Sequence, residues 1–257
     1  MTPKCNICGS TEFRDYKGRP GEMCVSCKSK ARHRVGLAVY ESLLYPLMDN
    51  DPNARLLHMA PEPSLYPVLA KRFGAAYMVS DAEPERYPYA QCLRLKFPQN
   101  FAHFPDGYFT GIIHNHILEH LPGHYGDHFV EFARLLAPGG RMIFSFPGPY
   151  NDIETKEGGE FLPTDEDRAR EFGVPEHIKI FGDDFYDVYT KVEGGFAMND
   201  GVTDALRAQL NVRPGMAPFH VWQRDGGATD RSAKASYQPP VSNPVPTKPD
   251  PKANIVR

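Results

Sequence analysis

Apolar residues come in bursts along this chain. Few fall within residues 1–33. Over residues 34–48, Val35, Val39, Leu43 and Leu47 recur at helical spacing. This predicts a leading helix within 34–50 that Pro46 should kink or end. From Arg55 to Pro147 strand and helix signals alternate. Arg55–Met59 reads as a short apolar strand before a sharp turn, Ala60-Pro61-Glu62-Pro63. Ser64 is an N-cap candidate for a helix over Leu65–Arg72, stopped at Gly74. Ala76–Ser80 is the next strand and ends on Asp81, and a weaker strand signal lies near Gln91–Leu95. Gly111–Asn115 is a strand running into His116-Ile117-Leu118-Glu119-His120. The helix after it carries Phe129, Phe132, Ala133 and Leu136 on one face and closes at Pro138-Gly139-Gly140, ahead of a strand over Arg141–Phe146.

Alternation of this kind implies an α/β fold of parallel strands joined by right-handed crossovers, with ligands bound beyond the strands' carboxyl ends. Residues 148–175 are rich in Gly and acids, a long loop or lid with helix near Asp165–Phe172. A helix near Asp183–Val192 and a last strand near Phe219–Gln223 complete the pattern. Residues 226–257 hold six prolines and almost nothing to bury, which predicts a disordered tail. The division implied is a module over 1–33, a Rossmann-like domain over 34–225 and the tail over 226–257.

Charge adds an asymmetry that the net value of −3 hides. Residues 1–35 carry eight Lys or Arg against three acids, whereas residues 151–173 carry eight acids against three bases. A near-neutral total argues against wholesale coating of nucleic acid, although the basic module could meet an anionic partner. The apolar runs fall far short of the roughly 18 residues a membrane span needs, and the N-terminus shows no signal-peptide stretch. The expectation is a cytoplasmic protein with no membrane partner.

Four of the five cysteines form two pairs, Cys5-x-x-Cys8 and Cys24-x-x-Cys27. Each pair presents two thiolates on a tight turn, and two such turns complete the tetrahedron that Zn²⁺ prefers. Gly9 follows the first pair, where positive φ is useful. With four thiolates and no open position the metal is expected to be structural. Cys92 is expected in the core.

Further along, Leu56-Leu57-His58-Met59-Ala60-Pro61-Glu62, Asp81-Ala82-Glu83-Pro84-Glu85-Arg86, Phe104-Pro105-Asp106-Gly107-Tyr108-Phe109, Asn115 to Leu121 and Leu135 to Gly140 carry a resemblance. Together they resemble class I S-adenosylmethionine (SAM)-dependent methyltransferases of the type 11 kind. The likeness is to a bacterial group with a Cys-x-x-Cys module, an Arg-His-Arg element (Arg32-His33-Arg34) and a His-x-Ala-Pro-Glu turn. It runs from about Cys5 to Gln223 and implies a Rossmann-like methyltransferase sheet with helices on both faces, plus a small zinc-ribbon-like module. It also implies SAM as cofactor and assigns the ribose hydroxyls to Asp81, with Ala82 beside it. Residues His58, Ala60, Pro61 and Glu62 then lie under the methionine moiety, and Asn115 and His116 lie near the transferred methyl group. Glu62 and Asp81 stand 19 residues apart, close to the interval of about 20 over which such folds place a ribose-binding acid. The departures are a missing Gly-x-Gly turn, His58 in place of the customary acid, and no acid near the third strand.

Methyl transfer needs a positioned nucleophile and, for some acceptors, a base. His116 is the candidate catalytic residue, since a histidine titrates near neutral pH. If its segment is helical it shares a face with His120, which the resemblance implies is structural. His124 and His128 raise a second metal site, Tyr150 a substrate contact, and His177 lies in a segment shared with the group. A small molecule or saccharide is favoured as acceptor over nucleic acid or protein, because the catalytic part is not basic. The competing reading is a Rossmann-like scaffold or adaptor without catalysis, acting through its zinc module.

Overall fold

The computed structural model describes residues 2–226, so all but the first residue of the 226–257 segment expected to be a disordered tail lies outside the described residues. At the N-terminus β1 (Phe13–Tyr16) and β2 (Arg19–Cys24) form an antiparallel hairpin. Lys17 and Gly18, both at positive φ, make its two-residue turn, the conformation that matches the twist of paired strands.

The leading helix begins at Ala31 rather than 34, so the Arg-His-Arg element lies on the first turn of α1 (Ala31–Val39). Pro46 does not end it. A π turn over Tyr40–Leu44 comes first, with the Tyr45 N–H bonded to the Tyr40 carbonyl. The wider turn carries the chain past a proline whose ring and missing N–H an α-helix interior would not accommodate. The helix resumes as α2 (Tyr45–Asp49).

The main sheet uses β3 (Leu56–Met59), β4 (Tyr77–Asp81), β5 (Leu93–Arg94), β6 (Phe109–Asn115), β7 (Leu136–Ser145), β8 (Gly195–Met198) and β9 (His220–Arg224). They are ordered β5-β4-β3-β6-β7-β9-β8. Strands β3 to β7 are mutually parallel, and the order reverses between β3 and β6. That reversal is the switch point of a doubly wound Rossmann-like fold, where a crevice opens beyond the carboxyl ends. The parallel strands expected from the alternation over 55–147 are joined by the last strand, β9, which pairs antiparallel with both β7 and β8. The connection through β8 and α7 (Asp204–Gln209), neither of which the apolar pattern revealed, brings the chain back in the opposite direction.

Helices cover both faces. Along the central strands Leu57, Ile112, Met142 and Trp222 join the core under α4 (Tyr125–Leu135) and α6 (Phe185–Tyr189). Their neighbours Leu56, Ile113, Ile143 and Val221 join the core under α1 and α3 (Tyr66–Phe73). This period-two division is what a sheet buried on both sides requires. Each such side chain contributes roughly 1.5–3 kcal/mol of burial.

Several local expectations shift. Ser64 does not cap α3, whose N-cap is Leu65; its hydroxyl bonds the His33 ring at 2.8 Å instead. Leu136 leaves the helix to open β7, and the helix expected over 183–192 shortens to α6. Cys92 is half-buried rather than a core residue. The 148–175 segment includes α5 (Asp165–Phe172), capped by Thr164. Backbone bonds from Lys156 to Ile180 and from Gly159 to Ile178 tie it to the body.

Candidate functional site

Both cysteine pairs sit on the same backbone device. The Gly9 N–H bonds the Cys5 carbonyl and the Cys5 N–H bonds the Ser10 carbonyl; Lys28 with Cys24, and Cys24 with Ser29, repeat the pattern. The four sulfurs lie within 4.8 Å of one another, with Cys5–Cys27 and Cys8–Cys24 at 3.6 Å. Zn–S bonds of about 2.3 Å set tetrahedral sulfur–sulfur edges of roughly 3.8 Å, so the donor set fits Zn²⁺. The Ser29 hydroxyl lies 3.2 Å from the Cys27 sulfur and 3.4 Å from that of Cys5, placed to donate to a thiolate. Lys28 stands at φ +60 where its counterpart Gly9 stands at +81. Replacing Lys28 with Gly should therefore raise stability by about 0.5 kcal/mol, read by urea denaturation. A loss would show that its contact with the Val25 carbonyl outweighs the backbone strain.

Arg34 joins this module to the segment that follows α7. Fully buried, its guanidinium donates to the carbonyls of Glu22, Ser29, Leu210 and Asn211 and lies 4.8 Å from the Phe13 ring. The Asn211 side chain donates to the Gly21 carbonyl, and the Lys4 N–H bonds Gln209. The module thus docks on the C-terminal end of α7.

At the switch point the chain leaves both central strands through left-handed residues. Ala60 follows β3 at φ +50 and His116 follows β6 at +56. Each first extends the ladder by one bond, from the Ala60 N–H to Ser80 and from the His116 N–H to Ser145. Non-glycine residues held there store about 1–3 kcal/mol. Ala60 therefore adopts the backbone that glycine would give without strain.

The turn lowers Glu62 onto a buried polar network. One oxygen of its carboxylate is 2.9 Å from His58 Nε2, and the other accepts from the Asn115 amide at 3.0 Å. His58 Nδ1 contacts the Tyr77 hydroxyl at 2.7 Å. Asn115 also donates to Tyr40 at 2.8 Å and accepts from Ser145 at 3.0 Å. Burial alone would raise the Glu62 pKa, but the His58 hydrogen bond and the nearby positive charge lower it to about 2. Glu62 therefore stays a carboxylate. His58 thus supports the acid from the strand position where an acid is customary. Around it, among the described residues, Arg32 Nε and His33 Nε2 are buried without hydrogen-bond partners. Tyr40, Tyr77 and Ser145 went unnoticed in the sequence, because an isolated Tyr or Ser has no motif to mark it. Arg32 and His33 were visible there only as part of an element with no assigned role.

Asp81 ends β4 as expected and is half-buried, with Ala82 exposed next to it. Its oxygens accept from the Glu83 N–H at 2.8 Å and the Tyr87 hydroxyl at 3.0 Å. Pro61 is buried, and its carbonyl accepts from Tyr89 at 2.6 Å. His58, Glu62 and Asn115 are thus in direct contact, whereas Asp81 belongs to a separate turn on the same edge. His116 and His120 share no helical face: only Leu118–His120 coils, as a single 3₁₀ turn. His124 caps α4 by accepting from Gly126, His128 is buried, and among the described residues neither joins a cluster of three ligands. Tyr150 is bridged to Gly182 and exposed.

No protein-family model matches the chain, and no curated protein sequence matches it. Solved structures similar to it include a SAM-dependent methyltransferase from Archaeoglobus fulgidus, at 12% identity and a TM-score of 0.47, covering 76% of this chain and 94% of that one. The YcgJ protein of Bacillus subtilis is likewise 12% identical with a TM-score of 0.45, over 76% of this chain and 99% of its own. A 1,6-didemethyltoxoflavin-N1-methyltransferase from Burkholderia thailandensis, solved with S-adenosylhomocysteine, is 13% identical with a TM-score of 0.44, over 77% and 79%.

Proposed function

We propose that this protein is a SAM-dependent methyltransferase with a structural Zn²⁺ held by Cys5, Cys8, Cys24 and Cys27. The observation that carries the reading is the buried, ionised Glu62, fixed by His58 and Asn115 at the switch point of the sheet. A buried charge is costly unless paired, and two of the roughly four lone-pair positions of this carboxylate are uncommitted. Glu62 and the backbone of Ala60 and Pro61 would hold the amino-acid end of the cofactor, and Asp81, with Ala82 beside it, the ribose hydroxyls. Bound SAM supplies an activated methyl group. Asn115 holds the floor of the crevice, and His116, partly exposed just beyond it, is placed to take a proton from an acceptor.

A small molecule or saccharide is the acceptor we favour. A cleft lined by Tyr186, Tyr189, Phe219, His220, Met198 and Asp200 opens on the same edge, since His220 pairs with Phe144 near the carboxyl end of β7. Aromatic walls interspersed with polar groups, here including Thr190, Asn199 and Asp200, suit such ligands. The acidic 151–173 stretch disfavours nucleic acid.

Calorimetry with SAM and S-adenosylhomocysteine tests the cofactor. The expected affinity is micromolar, about −8 kcal/mol, weakened at least tenfold by Glu62→Gln and by Asp81→Ala. One observation favours the scaffold reading, namely that both Asp81 oxygens are already engaged within their own turn. Absence of binding by folded wild-type protein would discard the cofactor assignment and put that reading first.

A further inference from the structure

Glu119 is a buried acid that the cofactor reading does not use. It is 1% exposed, and neither carboxylate oxygen accepts a hydrogen bond. Among the described residues it pairs with two imidazoles, His116 Nδ1 at 3.2 Å and His120 Nε2 at 4.0 Å from the same oxygen. An ionised carboxylate in that setting costs several kcal/mol unless a cation compensates it.

We propose that Glu119, His120 and His177 form a second metal site, for one divalent ion of the zinc class. Ligand atoms of the three lie within 4.8 Å of one another. Bonds of about 2.0–2.2 Å to a tetrahedral ion need them roughly 3.4 Å apart, a contraction that two partly exposed imidazole rings make by small rotations. The supporting shell is in place. His120 Nδ1 lies 2.8 Å from the Glu176 carbonyl, which fixes a proton on that nitrogen and leaves the Nε2 lone pair for a metal. The Ile178 N–H bonds the Glu119 carbonyl at 2.9 Å, holding the two ligand-bearing segments together. The His120 and His177 rings meet edge to face at 5.0 Å, as two ligands around one centre do.

Two imidazoles and one carboxylate leave a coordination position open, the arrangement of reactive rather than structural sites. The site follows β6 by four residues, on the carboxyl edge. Its open position suits an oxygen ligand, such as an acceptor hydroxyl or phosphate. The metal proposal does not depend on the methyltransferase reading, because it is tested without SAM.

Full-length protein is equilibrated with excess Zn²⁺, passed through a desalting column and analysed for bound metal. Two zinc ions per chain are expected, falling to one in His120→Ala and in His177→Ala. Co²⁺ substitution adds a second readout, with the thiolate charge-transfer band retained in both variants while the weaker absorption of the second site disappears. His120→Gln and His177→Gln keep the rings' volume in part and serve if an alanine variant unfolds. One zinc per chain in the wild type, or two in the variants, overturns the proposal.

Discussion

Lowering the pH from 7 to about 4.5 should unfold this protein cooperatively, driven by four histidines buried in neutral form. Burial lowers the pKa of His33 to about 3, reinforced by Arg32 and Lys30 against the opposing pull of Glu62. His114 falls to about 3, again by burial, clasped between the Phe132 and Phe144 rings. His128 and His220 fall to about 4, both chiefly by burial. In the unfolded chain each titrates near 6.5. Between those values the unfolded chain binds protons that the folded one refuses, so stability is complete above about pH 6.5 and declines below it. Each histidine contributes about 1.4 kcal/mol per pH unit, and the four together withdraw roughly 5. Two units consume the 5–15 kcal/mol of a typical domain. Urea titrations at pH 7, 6 and 5 followed by circular dichroism should show the decline. His114→Phe, which removes one of the four, should move the acid midpoint lower. Stability at pH 5 within about 1 kcal/mol of that at pH 7 would refute the account.

Arg34→Ala should be the most damaging single substitution outside the sheet core, at about 3–5 kcal/mol. It removes one donor from each of four carbonyls, leaving that of Ser29 with the Cys24 N–H, and opens a cavity between the cysteine module and α7. A zinc tetrathiolate carries a net charge of −2, and the guanidinium is a cation buried close enough to the cysteines for their charge to act on it. Zinc release to a chelator should accelerate along with the loss of stability. Arg34→Lys should recover only part, since a lysine has no planar fork to reach four acceptors. A loss below about 1 kcal/mol would mean the module holds its place without Arg34.

Strands β3, β4, β6 and the second half of β7 were legible in the sequence because each is a short apolar run beside a recognisable turn, whereas the two-residue β5 left only a weak signal. Elements β8 and α7 were not legible. Gly195–Met198 and Asp204–Gln209 are only four and six residues long and carry too few apolar positions to show a period. The cysteine tetrad was legible because its spacing alone brings ligands together. Glu62 stood out in the sequence by its place in the turn after β3, but its pairing with His58 emerges only once the left-handed Ala60 folds the turn back. The acid at Glu119 read as part of a common Leu-Glu-His run, because burial and missing hydrogen bonds leave no trace in composition.

The π turn at Tyr40–Leu44 has a consequence for how such a chain tolerates insertion and deletion. Tyr40, whose hydroxyl meets Asn115, opens that turn, and the cysteine module lies upstream of it. Deleting one residue from the turn would remove the extra residue it carries and rotate everything before it by about 100° around the helix axis. Tyr40 would swing out of the crevice, and the module would face a different part of the surface. The azimuth of everything up to Tyr40 is thus indexed by a single extra residue, and one codon gained or lost there would re-aim it.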